Sequence, residues 1–146
     1  MSGLNFELYQ TPMSNQNTAY TQFQIGKGKK PNTSVYMDNH TFDCIKGVIW
    51  NKHREFSNQR KINQINRDDW QRVLKGFVEA IEQLKTSTDS KQLIDVLSMP
   101  NHLATQQENI FAQKLALQQF IKALVAWIEK NLQGEKYILI IQNNPS

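Results

Sequence analysis

The stretch Tyr137-Ile138-Leu139-Ile140-Ile141 sets apolar side chains at consecutive positions late in the sequence. Neighbours along an extended strand point to opposite faces, so a run without polar alternation offers neither face to water. Such a strand belongs inside a sheet, with a neighbour on each side, and those neighbours have to come from far upstream.

Upstream, the strand period recurs. Leu4, Phe6 and Leu8 alternate with Asn5, Glu7 and Tyr9 as far as Thr11-Pro12. Ala19, Thr21, Phe23 and Ile25 alternate in the same way with Tyr20, Gln22 and Gln24, and Thr33 to Met37 makes a third short strand. Together these predict an antiparallel meander with one wet face. Between the second and third strands lies Gly26-Lys27-Gly28-Lys29-Lys30-Pro31-Asn32. No Ser or Thr follows a Gly-Lys pair there, and no third glycine opens a helix, so neither a phosphate loop nor a dinucleotide fingerprint is present. Glycine and proline suit the segment to a hairpin loop, with its lysines either solvated or a contact surface.

Helical spacing begins at Thr41. Phe42, Ile45, Val48, Ile49 and Phe56, flanked by Cys44 and Trp50, predict a helix over 41–57, and the polar, basic run from Ser57 to Gln64 reads as a loop. Asn66 is placed to cap a second helix, with Asp69 three residues on and Ile65 and Trp70 at the positions of a hydrophobic staple. Trp70, Val73, Leu74, Phe77, Ile81 and Leu84 then form one stripe; Gly76 within it suggests close approach by another element. Thr88 or Asp89 opens a shorter helix that stops at Met99-Pro100. Thr105-Gln106-Gln107-Glu108 reads as a capping box heading the longest helix, about 28 residues over 105–132, with Gly134 at its stop. The expectation is an α+β fold of one domain, residues 1–146, in which the C-terminal strand joins the N-terminal strands and about four helices pack against the sheet.

A chain of 146 residues can bury a core without metal or disulfide, and its single cysteine, Cys44, cannot form an internal bridge. No apolar run reaches the roughly 18 residues of a membrane span, and the start MSGLNFELYQ lacks the features of a secretory signal, so no membrane partner and a cytoplasmic location are expected. The net charge of +4 is concentrated: residues 27–75 hold eleven Lys or Arg against five acids, while the segments on either side are each close to neutral. A basic segment of this kind speeds association with an acidic partner, whether phosphate backbone or acidic protein face.

Catalytic readings are weak. His40, Asp43 and Cys44 lie close in sequence, with His53 further along the same predicted helix, but Cys44 flanks an apolar stripe, where a thiol is normally inert. His40, Cys44, His53 and His102 do not complete a metal-ligand spacing, and Glu79 with Glu82 reads as a solvated helix face. Neither a cofactor nor enzymatic activity is expected. Nucleic-acid binding has more support: Lys46, Lys52, Arg67, Arg72 and Lys75 join the loop lysines, and Tyr20, Tyr36 and Trp50 are available for stacking, unless Trp50 packs in the core. Against it, no helix-turn-helix, zinc knuckle, aromatic RNP stretch or GXXG loop occurs.

The order of an NFELYQ strand, a short polar meander, and RDDWQRVLKGFVEAIEQL followed by further helices resembles small bacterial immunity proteins that neutralise polymorphic or contact-delivered toxins. This resemblance covers about the first 85 residues and implies a non-enzymatic cytoplasmic protein that covers one toxin's active site or another essential surface. Immunity proteins against basic nucleases tend to be acidic, whereas this chain is basic, which disfavours a partner with a basic cleft. The expected contact residues are Lys27, Lys29, Lys30, Arg54, Arg60 and Lys61. A small nucleic-acid-binding accessory protein using residues 27–75 is the alternative.

Overall fold

The computed structural model describes residues 6–10, 19–25, 34–53, 55–57 and 60–143. It has an α+β fold: among the described residues, one four-stranded antiparallel sheet and five α-helices. Strand β1 is Tyr20–Ile25, β2 is Ser34–Asp38, β3 is Ile62–Asn66 and β4 is Tyr137–Asn143. They lie in the order β2-β1-β4-β3. The late apolar strand therefore does sit inside the sheet, hydrogen-bonded to β1 on one side and β3 on the other.

Pleat alternation divides the sheet into two faces. Phe23 of β1, Val35 and Met37 of β2, Ile65 of β3, and Ile138 and Ile140 of β4 are buried beneath the helices. Tyr20, Gln22, Gln24, Tyr36, Leu139 and Ile141 face the other way and are only partly covered. Ile62, on that same open face by its pairing with Ile141, is 51% exposed.

Helix α1 spans Asn39–Lys52, starting two residues earlier than the spacing predicts because Asp38 caps it, its carboxylate accepting the Thr41 N–H at 2.7 Å. It also ends earlier: His53 is its C-cap, and Phe56 reaches the core from beyond the helix, edge-on to Phe42. Helix α2, Arg67–Thr86, opens as the sequence predicts, with the Asn66 side chain accepting the Asp69 N–H at 2.9 Å and both staple residues, Ile65 and Trp70, fully buried. Helix α3, Ser90–Leu97, is capped by Asp89 and turns out through Ser98, whose backbone is left-handed at φ 51°.

Three expectations are corrected. The polar run ending in Gln64 is a loop only in its first part, since Ile62–Asn66 forms edge strand β3. Its buried Asn63 is tolerated because its amide accepts from the Ser57 N–H and donates to the Ser57 carbonyl, at 3.0 and 2.9 Å. The long helix over 105–132 is not continuous. A 3-10 turn at Asn101–Gln106 leads into α4, Gln107–Ala112, and Gln113 (φ −106°, ψ 21°) separates α4 from α5, Lys114–Leu132. Gln106, at the head of α4, makes no side-chain cap bond, and Glu108 accepts instead from the Ser90 hydroxyl at 2.6 Å. One residue past the break, Lys114 donates to the Ser87 carbonyl at 3.0 Å, so both sides of the break are tied to the α2–α3 connection. With this helix divided, α2 at 20 residues is the longest. Finally, residues 6–8 form no regular strand. Tyr9 alone bridges to Tyr36, exchanging two backbone bonds of 2.8 and 2.7 Å, while Phe6 and Leu8 pack against the core; Leu4 lies outside the described residues.

Candidate functional site

The C-terminal half of α1 faces solvent on one side and the end of α3 on the other. Gly47 makes that packing possible: a Cβ there would sit 2.2 Å from the Ser98 carbonyl oxygen and 2.7 Å from that of Leu97. The Asn51 amide donates to the Ser98 hydroxyl at 2.7 Å and fastens the same junction. Beside it opens a groove of about 370 Å³, walled by Lys46 and Trp50 of α1, Phe56 and Ser57 of the following loop, and Ser98 and Pro100 beyond α3. Trp50 is 47% exposed, so it forms a rim of this groove and does not belong to the core. Lys46 pairs with Asp43 at 2.8 Å, one turn back along the helix.

Of the expected contact residues, Lys27, Lys29, Lys30 and Arg54 lie outside the described residues. Arg60 and Lys61 are exposed at the entry to β3, and the Arg60 guanidinium donates to the Glu55 carbonyl at 3.3 Å. The three stacking aromatics do not share a surface. Tyr20 and Tyr36 meet edge to face, 5.8 Å apart, on the open side of the sheet, whereas Trp50 belongs to a helix packed on the opposite side. Among the described residues, Gln22, Gln24, Leu139 and Ile141 on the same open face as the two tyrosines carry no charge.

The nucleophile reading loses its chemistry. Cys44 is fully buried, and its thiol pKa is pushed up to about 12, chiefly by burial and further by the charges of Asp43 and Asp38. His40, four residues earlier, is exposed on the first turn of α1. A thiol reagent at pH 8 is therefore expected to leave Cys44 unmodified in the folded chain and to label it fully in denaturant; rapid labelling of the native protein would restore the thiol as a nucleophile.

His53 has a structural setting that sequence spacing could not supply. Its Nδ1 lies 3.2 Å from the Asp69 carboxylate, which also pairs with Arg72, so the C-cap of α1 is joined to the first turn of α2. Burial lowers the His53 pKa below 6.5, opposed by the charge of Glu55 and assisted by that of Arg72, so the ring is neutral at physiological pH. Glu82 pairs with Lys85 at 3.2 Å and Glu79 stands 4.0 Å from Lys52, so the two carboxylates have separate partners. Among the described residues no three His, Cys, Asp or Glu side chains gather closely enough to hold a metal ion, and no helix is long and apolar enough to cross a membrane. No family model, no curated protein and no solved structure matches this chain.

Proposed function

We propose that this chain is a non-enzymatic protein-binding module, an immunity protein that binds and neutralises a cognate bacterial toxin in the cytoplasm. The observation that carries this reading is Trp50, an aromatic anchor on a well-packed helix, 47% exposed at the rim of the groove formed with Phe56 and Pro100. Tryptophan is enriched among the residues that dominate protein–protein affinity, and it does so when it enters a pocket ringed by polar groups that exclude water. Lys46 at the groove, with Arg60 and Lys61 nearby in the chain, supplies the positive rim that steers an acidic partner surface. The buried, protonated Cys44 and the neutral, carboxylate-bound His53 leave this part of the molecule better suited to recognition than to catalysis.

The test is protection. Where a toxin gene lies beside the gene for this chain, cells producing that toxin should survive when the chain is co-expressed, and the purified pair should form a complex that persists in moderate salt. Trp50→Ala should weaken that complex by about 30-fold or more, the equivalent of about 2 kcal/mol, with a much smaller fall in thermal midpoint than a core substitution, because about half of the residue is already exposed. Failure to protect, together with duplex DNA or RNA binding that falls steeply with salt, would replace this reading by the nucleic-acid one.

A further inference from the structure

A four-stranded sheet has two edges, and in this chain they are treated differently. Backbone groups along an antiparallel strand alternate between its two neighbours, so the register shows where each points. In β2, Val35 and Met37 pair inward with β1, leaving Tyr36 pointing outward, and there Tyr9 satisfies both its N–H and its C=O. That edge is covered at its centre. In β3, the Lys61 carbonyl accepts from Gln142 and the Arg67 N–H donates to Lys136, which fixes Lys61, Asn63, Ile65 and Arg67 as the inward-bonded set. The N–H and C=O groups of Ile62 and Gln64 consequently point away from the sheet, and among the described residues nothing bonds to them. The side chain of Ile62, half exposed, stands beside them on the open face.

We propose that the free edge of β3 is a docking site for an extended segment of the partner protein, acidic at its ends and β-branched at its centre, which adds to the sheet as a fifth strand. Main-chain bonds to Ile62 and Gln64 would supply the pairing, and the Ile62 side chain the apolar neighbour for the segment's central residues. The charge specification comes chiefly from Arg60 and Lys61, exposed just before a strand that is itself uncharged; Arg67 after it is exposed too, but its guanidinium donates twice to the Glu135 carbonyl, at 3.0 and 2.7 Å, and Asp68 follows it. In the register centred on Gln64 the same flanks oppose a second copy of this chain as the occupant. In a symmetric antiparallel pairing centred on Gln64, Lys61 of each copy falls opposite Arg67 of the other, an unfavourable like-charge pair. Ser57 links the edge to the groove, since it lines the groove and exchanges both hydrogen bonds with the Asn63 amide of β3. The proposal thus deepens the protein-binding reading, on which it rests.

Amide hydrogen exchange on the whole protein gives a direct readout, because pairing protects particular N–H groups. In the free chain, the amides of Ile62 and Gln64 should exchange quickly and those of Asn63 and Ile65 slowly. A blocked eight-residue peptide of two glutamates, an alternating valine and threonine centre, and two further glutamates should slow exchange at Ile62 and Gln64 by at least about tenfold. A peptide with lysine in place of glutamate, or with prolines at the centre, should not. Gln64→Pro, which deletes one outward N–H and no bond to β4, should abolish the peptide's effect on Ile62; if that variant misfolds, the exchange pattern of the native chain decides alone. Protection already present in the free chain, equal protection by the proline peptide, or peptide-independent protection that tracks a dimer in sedimentation would each overturn the proposal. If the edge fails while Trp50-dependent toxin binding persists, the protein-binding reading stands without it.

Discussion

Replacing Trp70 by alanine is expected to cost about 3–5 kcal/mol, enough to bring a domain of this size close to unfolding at 37 °C. Trp70 is the largest fully buried side chain, packed at 5.7 Å against the Phe23 ring, so the substitution opens a cavity where α2 meets the sheet. It also removes the indole N–H that donates to the Ile138 carbonyl at 3.2 Å. That carbonyl keeps a partner, because Ile138 belongs to the set bonded to β3. Trp70→Phe isolates the two contributions: it retains most of the ring and loses the hydrogen bond, so its penalty should be nearer 1–2 kcal/mol by the usual value of a net hydrogen bond plus partial cavity. Urea unfolding measures both, with the midpoint falling and the slope unchanged. Similar penalties for the two variants would mean that the site collapses around alanine and the cavity term is small.

Gly47→Ala is the second large effect, and it comes from adding one carbon. The new Cβ would overlap two backbone carbonyl oxygens at the end of α3, and backbone cannot rotate away as a side chain can. Either α3 moves or α1 does, at a cost of about 3 kcal/mol or more, corresponding to a fall of roughly 10 °C in Tm. Gly76→Ala is the control. Its Cβ would meet only side-chain atoms of Lys52 and Val48 at 3.1 Å, which can yield by a few tenths of an ångström, and alanine improves the helical propensity there. The two variants should therefore differ by several kcal/mol in thermal or urea unfolding. A near-neutral Gly47→Ala would show that the α1–α3 junction is looser than its geometry implies.

The contrast between these glycines indicates what the sequence could and could not disclose. Gly76 interrupts a strong apolar stripe and so stands out; Gly47 interrupts nothing, and its importance lies in a helix 50 residues further along the chain. Features built from neighbouring residues were legible: the Asn66 cap and the Ile65–Trp70 staple stand where the sequence places them, and the α3 cap, Asp89, is one of the two residues that the sequence offers. Strand β3 was not legible. Its two isoleucines are three residues apart, on opposite faces, and its second inward position is an asparagine whose partner, Ser57, is found only through the tertiary fold. The break at Gln113 was hidden for a related reason. No glycine or proline marks it, and the polar ties at Ser87 and Ser90 that flank it come from another part of the chain. For the candidate site, the sequence marked Trp50, Arg60 and Lys61 as candidates, but the groove depends on Pro100 and Ser98 from beyond α3, which no local pattern could associate with them.

The position of β4 has a consequence for synthesis. Strands β1 and β2 can pair as a hairpin as soon as both have left the ribosome, but β3 has no partner in the sheet until residues 137–143 arrive and insert between β3 and β1. During the interval, the sheet exists as two fragments, with the facing edges of both β1 and β3 unpaired while five helices are already available to collapse on them. Sequence-distant pairing of this kind slows folding and leaves edges open to wrong partners in the meantime. A nascent chain stopped before Tyr137 would be left without the strand that joins the two fragments, so Tyr137–Asn143 decides whether β1, β2 and β3 become one sheet.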